Sequence, residues 1–252
     1  MATERRLIPL RFPLATLLLC GVAGVVFAVP ALQAQLIYNR AAIDEGEIWR
    51  LVTGNLVHLS PSHFLYDVAA LFLVGALTEI RGYRYFTMLC LVSAAFVGAT
   101  LYISKPEIVV FGGLSGIVAG AVTFLCLNGL NEGGAWRRLS LVVLICLGIK
   151  IAIEIALGGS LVLPAASQDF VPVPLGHLAG AAAALTLFAL QNWGRLREWF
   201  DPATEPRAIW RSAGEFNAPR APRSARARGP GRSGAGSPTT APRAAATACP
   251  KR

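Results

Sequence analysis

The chain has 252 residues, of which 54% are hydrophobic and only 15% are charged. Soluble domains carry roughly 25% charged residues, so this composition excludes an ordinary soluble protein and indicates a membrane protein. The formal net charge is +9, but the segment from residue 201 onward alone holds ten Lys or Arg and three Asp or Glu. The basic character therefore belongs to the tail and not to the apolar part of the chain.

Six apolar runs are long enough, at about 17 to 25 residues, to cross a bilayer as helices. They cover residues 12–32, 59–78, 86–104, 108–130, 139–163 and 170–190. The order predicts an all-α membrane protein with a six-helix domain at 12–193, a cytoplasmic N-terminal segment at 1–11 and a tail at 194–252. Because the first run exceeds the apolar core of about 7 to 15 residues in a signal peptide, we interpret it as a retained anchor.

The distribution of Lys and Arg around these runs predicts the orientation of the chain. One side has only Arg40, Arg50 and Lys105, diluted by acidic residues, whereas the opposite side holds most of the other basic residues before residue 201. Those residues are Arg5, Arg6, Arg11, Arg81, Arg84, Arg137, Arg138, Arg195 and Arg197. We therefore expect a multi-pass protein with both termini in the cytoplasm. Arg far outnumbers Lys, which is typical of GC-rich bacterial genomes and favours the bacterial inner membrane.

The tail is rich in Arg, Pro, Ala, Gly and Ser and shows almost no periodicity. This composition predicts a disordered cytoplasmic extension, because it cannot bury enough apolar surface to fold. Attachment to anionic lipids is an alternative, since basic residues near such a surface gain about 1 kcal/mol each. Nucleic-acid binding is disfavoured because no aromatic residue follows Phe216. The cysteines lie in separate segments and indicate no metal site, and no cofactor-binding motif is present.

A serine flanked by glycines, in Phe111-Gly112-Gly113-Leu114-Ser115-Gly116, lies inside the fourth run. Glycines allow a sharp turn and the close approach of another backbone or of a reacting carbonyl. His177 lies as deep in the sixth run as Ser115 does in the fourth, about 10 Å below the outer surface by helix rise. The sequence thus places a hydroxyl and an imidazole at matching levels on parallel helices.

Small residues at helical spacing predict that these two helices pack closely. Gly116 and Gly120 form one pair in the fourth run, and Gly176 and Gly180 form another in the sixth. Such spacing lets two membrane helices approach at short distance. The imidazole could then reach the serine oxygen and act as a general base.

Further polar residues lie at the outer ends of other runs. His63 and Asp67 are four residues apart on one helical face, and His58 precedes them. Lys150 and Glu154 are one turn apart in the fifth run, where mutual neutralisation is the favoured interpretation and contact of Glu154 with the site is the alternative. Any one of these residues alone would indicate packing or capping. Together, at the outer ends of parallel helices, they favour chemistry.

At these residues the chain resembles the rhomboid family of intramembrane serine proteases. Gly113-Leu114-Ser115-Gly116 matches the family's serine motif and His177-Leu178-Ala179-Gly180 its histidine motif. Trp49-Arg50, His58, His63, Asp67, Glu79 and Arg81 follow the family's order and spacing, over about residues 12 to 193. The resemblance implies a rhomboid-like bundle of six transmembrane helices.

The resemblance also implies roles for these residues. Ser115 would be the nucleophile and His177 the base, forming a Ser-His dyad, since no carboxylate is clearly placed to orient His177. His63 would donate to the oxyanion beside the Ser115 amide, in a loop shaped by Gly113. Family members commonly have Asn at the position of Asp67, so Asp67 would help only if protonated or by orienting His63. Trp49-Arg50 would belong to a structured first loop, and Glu79 with Arg81 to a cytoplasmic ion pair.

The short form and the Trp-Arg to His-x4-His-x3-Asp stretch look most like the rhombosortase branch. The resemblance implies single-pass membrane substrates with a glycine-rich motif before a transmembrane helix and a basic end, cleaved near the outer membrane face. Two alternatives remain open at this point. One is a non-catalytic rhomboid-like protein that binds transmembrane clients, and the other is a small transporter that uses Lys150 and Glu154, for which no repeated broken helices are visible.

Overall fold

The computed structural model describes residues 12–157 and 173–194. Predictions for the N-terminal segment, for residues 158–172 and for the basic tail lie outside these ranges. In chain order the elements are α1 (Leu14–Ala28), α2 (Pro30–Leu36), β1 (Tyr38–Asn39), α3 (Arg40–Asp44), α4 (Arg50–Thr53), a 3-10 turn (Gly54–Leu56), α5 (Pro61–Ile80), α6 (Phe86–Ser104), β2 (Val110–Phe111), α7 (Ser115–Leu130), α8 (Gly134–Leu157) and α9 (Pro174–Gln191).

The predicted all-α membrane class is confirmed, with differences in helix length. Helices α5, α6, α8 and α9 are each long and apolar enough to cross a membrane. The pair α1 and α2 would make a fifth span if it is counted as one, and α7 is a shorter apolar helix. Each of the six predicted runs therefore contributes a helix, but not every one forms a single straight span.

The first run does not continue as one helix to residue 32. Helix α1 ends at Ala28, and α2 starts at Pro30 with its axis turned by 108°. Proline lacks a backbone N–H and disfavours the helical conformation in the residue before it. Val29 accordingly has extended dihedral angles. The anchor is therefore shorter than predicted, and the chain turns sharply after it.

The segment between α2 and α5 is an ordered loop built around Arg50. The buried Arg50 donates from one terminal nitrogen to the carbonyls of Ala34 at 3.0 Å and Ile37 at 2.9 Å. Its Nε donates to the Glu47 carboxylate at 2.5 Å. These bonds tie the end of α2 to α4, and they confirm that Trp49-Arg50 belongs to a structured first loop.

The fourth run is helical only from Ser115. Before it, Val110 and Phe111 pair antiparallel with Asn39 and Tyr38 of the first loop. The prediction of a helix from residue 108 is wrong, because strand pairing satisfies the backbone there and the two following glycines turn the chain. Ser115 is the first residue of α7, so the depth of about 10 Å, which assumed two helical turns before it, does not apply.

Helix α7 lies at the centre of the bundle and packs against α5, α6, α8 and α9. Its contact with α9 is made by the predicted glycines. A Cβ atom added to Gly180 would lie 1.8 Å from the Gly116 carbonyl oxygen, and one added to Gly120 would lie 2.8 Å from the Gly180 oxygen. The two backbones touch, as the small-residue spacing predicts.

The contacts at the C-terminal end of α5 differ from another prediction. Glu79 does not pair with Arg81 there; its carboxylate accepts from the amides of Ala15 at 3.1 Å and Thr16 at 2.8 Å. It caps α1, whose first amides have no acceptor within their own helix. Arg81 instead pairs with Glu132 at 2.9 Å. Both residues join neighbouring elements, and neither contacts the other through an ion pair in the described part of the chain.

Candidate active site

Ser115 is half-buried at the start of α7. Its amide belongs to the first turn of the helix and therefore has no acceptor within α7, so it can donate to an external oxygen. Gly113, two residues earlier, has φ +139°, a conformation that other residues rarely adopt. The sequence thus forms a sharp turn that places a hydroxyl and a helix N-terminus together.

Gly113 also makes room for a histidine of α5. A Cβ atom added to Gly113 would lie 2.5 Å from Cε1 and 3.0 Å from Nε2 of His63. Any larger residue would displace that ring or the turn itself. The predicted site residues Gly113 and His63 are therefore in direct contact, and Gly113 lies two residues before Ser115.

Asp67 holds two histidines with one carboxylate oxygen. Its Oδ2 lies 3.1 Å from Nε2 of His63 and 3.2 Å from Nε2 of His58. All three residues are buried. The helical spacing of four residues explains the first contact, whereas the second depends on the turn before α5 and could not be read from the spacing.

His58 lies deeper in the site than the sequence indicates. Besides facing Asp67, its Nε2 accepts from the amide of Leu114 at 3.4 Å. A ring nitrogen either carries a proton or presents a lone pair. Nε2 therefore accepts from the Leu114 amide or donates to an ionised Asp67, but not both at once. His58 therefore links the proton arrangement around Asp67 to the backbone just before Ser115.

His177 is the fourth residue of α9 and contacts a carboxylate of α8. Its Nδ1 lies 3.0 Å from Oε2 of Glu154, and the same oxygen accepts from Lys150 Nζ at 2.7 Å. The predicted Lys150–Glu154 pair is confirmed. The expectation that no carboxylate lies where it could orient His177 is wrong, because the inward face of α8 turns Glu154, which is 0% exposed, toward α9.

The glycine contact brings the backbones next to Ser115 and His177 together. A Cβ atom added to Gly116 would lie 2.9 Å from the Gly176 carbonyl oxygen. No hydrogen bond joins the two side chains in the described residues, which is common in enzymes without substrate, where such bonds tighten only in the complex. Because Nδ1 of His177 is hydrogen-bonded to Glu154, Nε2 is the nitrogen that can accept a proton from Ser115.

The predicted site residues thus form two groups around the start of α7. His58, His63, Asp67 and Gly113 lie on one side, and His177 with Glu154 on the other. All of these residues are among the candidates chosen from the sequence, in which His58 and Glu154 are the weaker ones. The available signal was their chemistry, since buried ionisable residues in membrane helices are costly and need partners.

A family model described as the rhomboid domain matches residues 45–192, more than half of the chain. All the candidate site residues fall within this range. Rhomboid protease GlpG of Haemophilus influenzae is 34% identical to the chain over 84 residues. This match covers 32% of the chain and 42% of the relative, so the chain spans less than half the length of that protein.

Proposed function

The chain belongs to the rhomboid family, and from that premise we propose that this multi-pass membrane protein is an intramembrane serine endopeptidase. Ser115 is the nucleophile and His177 the general base. The observation that carries the proposal is the placement of Ser115 at an open helix N-terminus, with its helix in backbone contact with the helix of His177.

The reaction begins when the Ser115 oxygen attacks the carbonyl carbon of a peptide bond and its proton passes to Nε2 of His177. The oxyanion that forms accepts hydrogen bonds from the Ser115 amide and from the ring N–H of His63 that does not face Asp67. The C–N bond then breaks, and the protonated His177 gives its proton to the leaving amine. A water molecule, deprotonated by the same histidine, hydrolyses the acyl-enzyme and restores the serine.

Asp67 has a supporting role in this scheme. Its carboxylate oxygen accepts from His63 and fixes the orientation of that ring beside Gly113. An ionised Asp67 would repel the oxyanion, so it acts through the histidine and not by direct contact with substrate. His58 completes the group by contacting both Asp67 and the Leu114 amide.

Substitution at Asp67 separates orientation from charge. We expect D67N to keep kcat/KM within about tenfold of wild type, because a carboxamide still accepts from His63, whereas D67A should lose about 10- to 100-fold as a buried donor is left without a partner. The measurement is cleavage of a purified membrane substrate at pH 7. Equal losses in D67N and D67A would contradict an orienting role.

The proposed substrates are single-pass membrane proteins cleaved near the outer face of the bacterial inner membrane, with both termini of the protease in the cytoplasm. The first loop, with Trp49-Arg50, and the His-x4-His-x3-Asp spacing from His58 to Asp67 support a rhombosortase-like specificity for C-terminal glycine-rich sorting tails. The basic tail of the protease would remain in the cytoplasm, where anionic lipid is its proposed partner.

Labelling with a fluorophosphonate tests the nucleophile without any knowledge of the substrate. We expect the wild-type protein in detergent to be labelled and S115A to remain unlabelled, because only an activated serine attacks phosphorus at an appreciable rate. H177A should be labelled at least about 100-fold more slowly, since general-base assistance contributes about 10²- to 10⁴-fold.

The matched control is S62A, because Ser62 is an exposed serine at the start of the neighbouring helix α5. It should be labelled like the wild type. A folded wild-type protein that resists labelling would favour the alternative function, a non-catalytic rhomboid-like protein that binds transmembrane clients.

A further inference from the structure

The contact between His177 and Glu154 goes beyond a serine–histidine pair. Glu154 is fully buried, and its Oε2 lies 3.0 Å from His177 Nδ1 and 2.7 Å from Lys150 Nζ. Lys150 is only partly buried, with a side chain that is 32% exposed. One carboxylate oxygen thus lies between an imidazole inside the bundle and an ammonium group that extends toward its surface.

This arrangement has a chemical consequence for the imidazole. A carboxylate at Nδ1 accepts the proton there and fixes the tautomer in which Nε2 presents a lone pair to the nucleophile. It also stabilises the imidazolium formed when Nε2 takes the serine proton. A buried carboxylate needs compensation, and Lys150 supplies it. The net charge that His177 experiences therefore depends on both α8 residues.

We propose that Glu154 is a positioning residue for His177, and that Lys150 sets how strongly its negative charge acts on the imidazole. The proposal rests on the proposed function and replaces the expected dyad by a Ser115–His177–Glu154 triad. Glu154 accepts a hydrogen bond throughout the reaction and does not take the proton. Neither Glu154 nor Lys150 contacts the substrate.

In the described residues, three charged groups act on His177. Lys150 and Glu154 face it from α8, and Asp67 acts on it from α5. Helices α6 and α7, which both pack against α9, carry no charged residue. Among the charged groups in the described part of the bundle, these three act on His177, and only the two on α8 are changed in the test.

The test uses two variants that should have opposite effects. His177 must be deprotonated to act as a base, so kcat/KM falls on the acidic side of the pH profile. E154Q removes a charge that favours the imidazolium, and the acidic midpoint should move down by about one pH unit. K150M removes the charge that neutralises Glu154, and the midpoint should move up. We also expect E154Q to lower kcat by about 10- to 100-fold with KM little changed.

Opposite shifts are not expected from a purely structural role, which would lower activity in both variants without moving the midpoint in opposite directions. The pH dependence of fluorophosphonate labelling gives a second readout that needs no substrate, and thermal unfolding in detergent reports whether each variant is folded. If E154Q does not fold, an upward shift in K150M alone supports the proposal.

Shifts of the acidic midpoint in the same direction, or unshifted pH profiles in folded variants, would overturn the proposed role of Glu154 and Lys150. This failure is distinguishable from failure of the proposed function, because S115A decides the latter. A wild type that cleaves, an S115A that does not, and an E154Q with wild-type kcat and an unmoved profile would leave the peptidase intact and remove Glu154 from its mechanism.

Discussion

Replacing Ser115 by alanine should reduce cleavage by on the order of 10⁴-fold or more, below detection in cells, because a methyl group cannot attack a carbonyl. The substrate for this experiment is a co-expressed single-pass membrane protein with a glycine-rich motif before its transmembrane helix and a basic C-terminal end. The readout is the ratio of cleaved to intact substrate on an immunoblot.

The S115A protein should insert and unfold like the wild type. Within residues 12–157 and 173–194 the Ser115 hydroxyl makes no hydrogen bond, so its removal leaves no buried group without a partner. S62A again serves as the control and should cleave normally. Cleavage by a folded S115A protein at a rate near that of the wild type would eliminate Ser115 as the nucleophile.

The second large effect is expected from G180A, the smallest possible enlargement at the contact of α7 and α9. The added Cβ would lie 1.8 Å from the Gly116 oxygen and 2.8 Å from its carbonyl carbon. Both are backbone atoms that cannot rotate away, so the helices must separate. A displacement of about 1 Å between catalytic groups can cost about 100-fold in rate. The overpacking should also lower the free energy of unfolding by about 1–3 kcal/mol.

A matched substitution shows whether this loss depends on the contact. Gly148 is an exposed helical glycine of α8, and a Cβ atom added there would have no neighbour within 4 Å. G148A should keep wild-type activity and stability, since alanine is the better helix former. Rates of peptide cleavage and thermal unfolding midpoints in detergent are measured for both variants. If the cleavage rate of G180A stays within threefold of that of G148A and their unfolding midpoints agree, the close approach of the helices is not needed for catalysis.

Hydropathy and small-residue spacing predict much of this fold, and physical reasons explain where they fail. Hydropathy reports burial and not backbone geometry, so the apolar residues Val110 and Phe111 resemble the start of a helix although they form a strand. Only the glycines after them indicate a turn. The bend at Pro30 has a local signal in the proline itself. The strand at Val110–Phe111 has no such signal, because its partner strand, Tyr38–Asn39, is remote in the chain.

The candidate site follows a similar pattern. Ser115, His177 and His63 can be selected from the sequence because polar groups at the ends of apolar runs are costly and because they match the motifs of the family. The contact of Glu154 with His177 could not be derived, since the pair Lys150–Glu154 satisfies itself on one helix and the rotation of α8 against α9 is fixed only by packing. The sequence also could not show that Asp67 faces two histidines, because the position of His58 depends on the turn before α5.

The two-residue ribbon of Tyr38–Asn39 with Val110–Phe111 makes the position of the proposed nucleophile depend on a distant part of the chain. Phe111 is anchored to the first loop only a few residues before Ser115, and that loop is itself held by the hydrogen bonds of Arg50. The first loop and the turn before Ser115 are therefore joined directly by backbone pairing. A change that tilts the first loop should therefore move Ser115 as well.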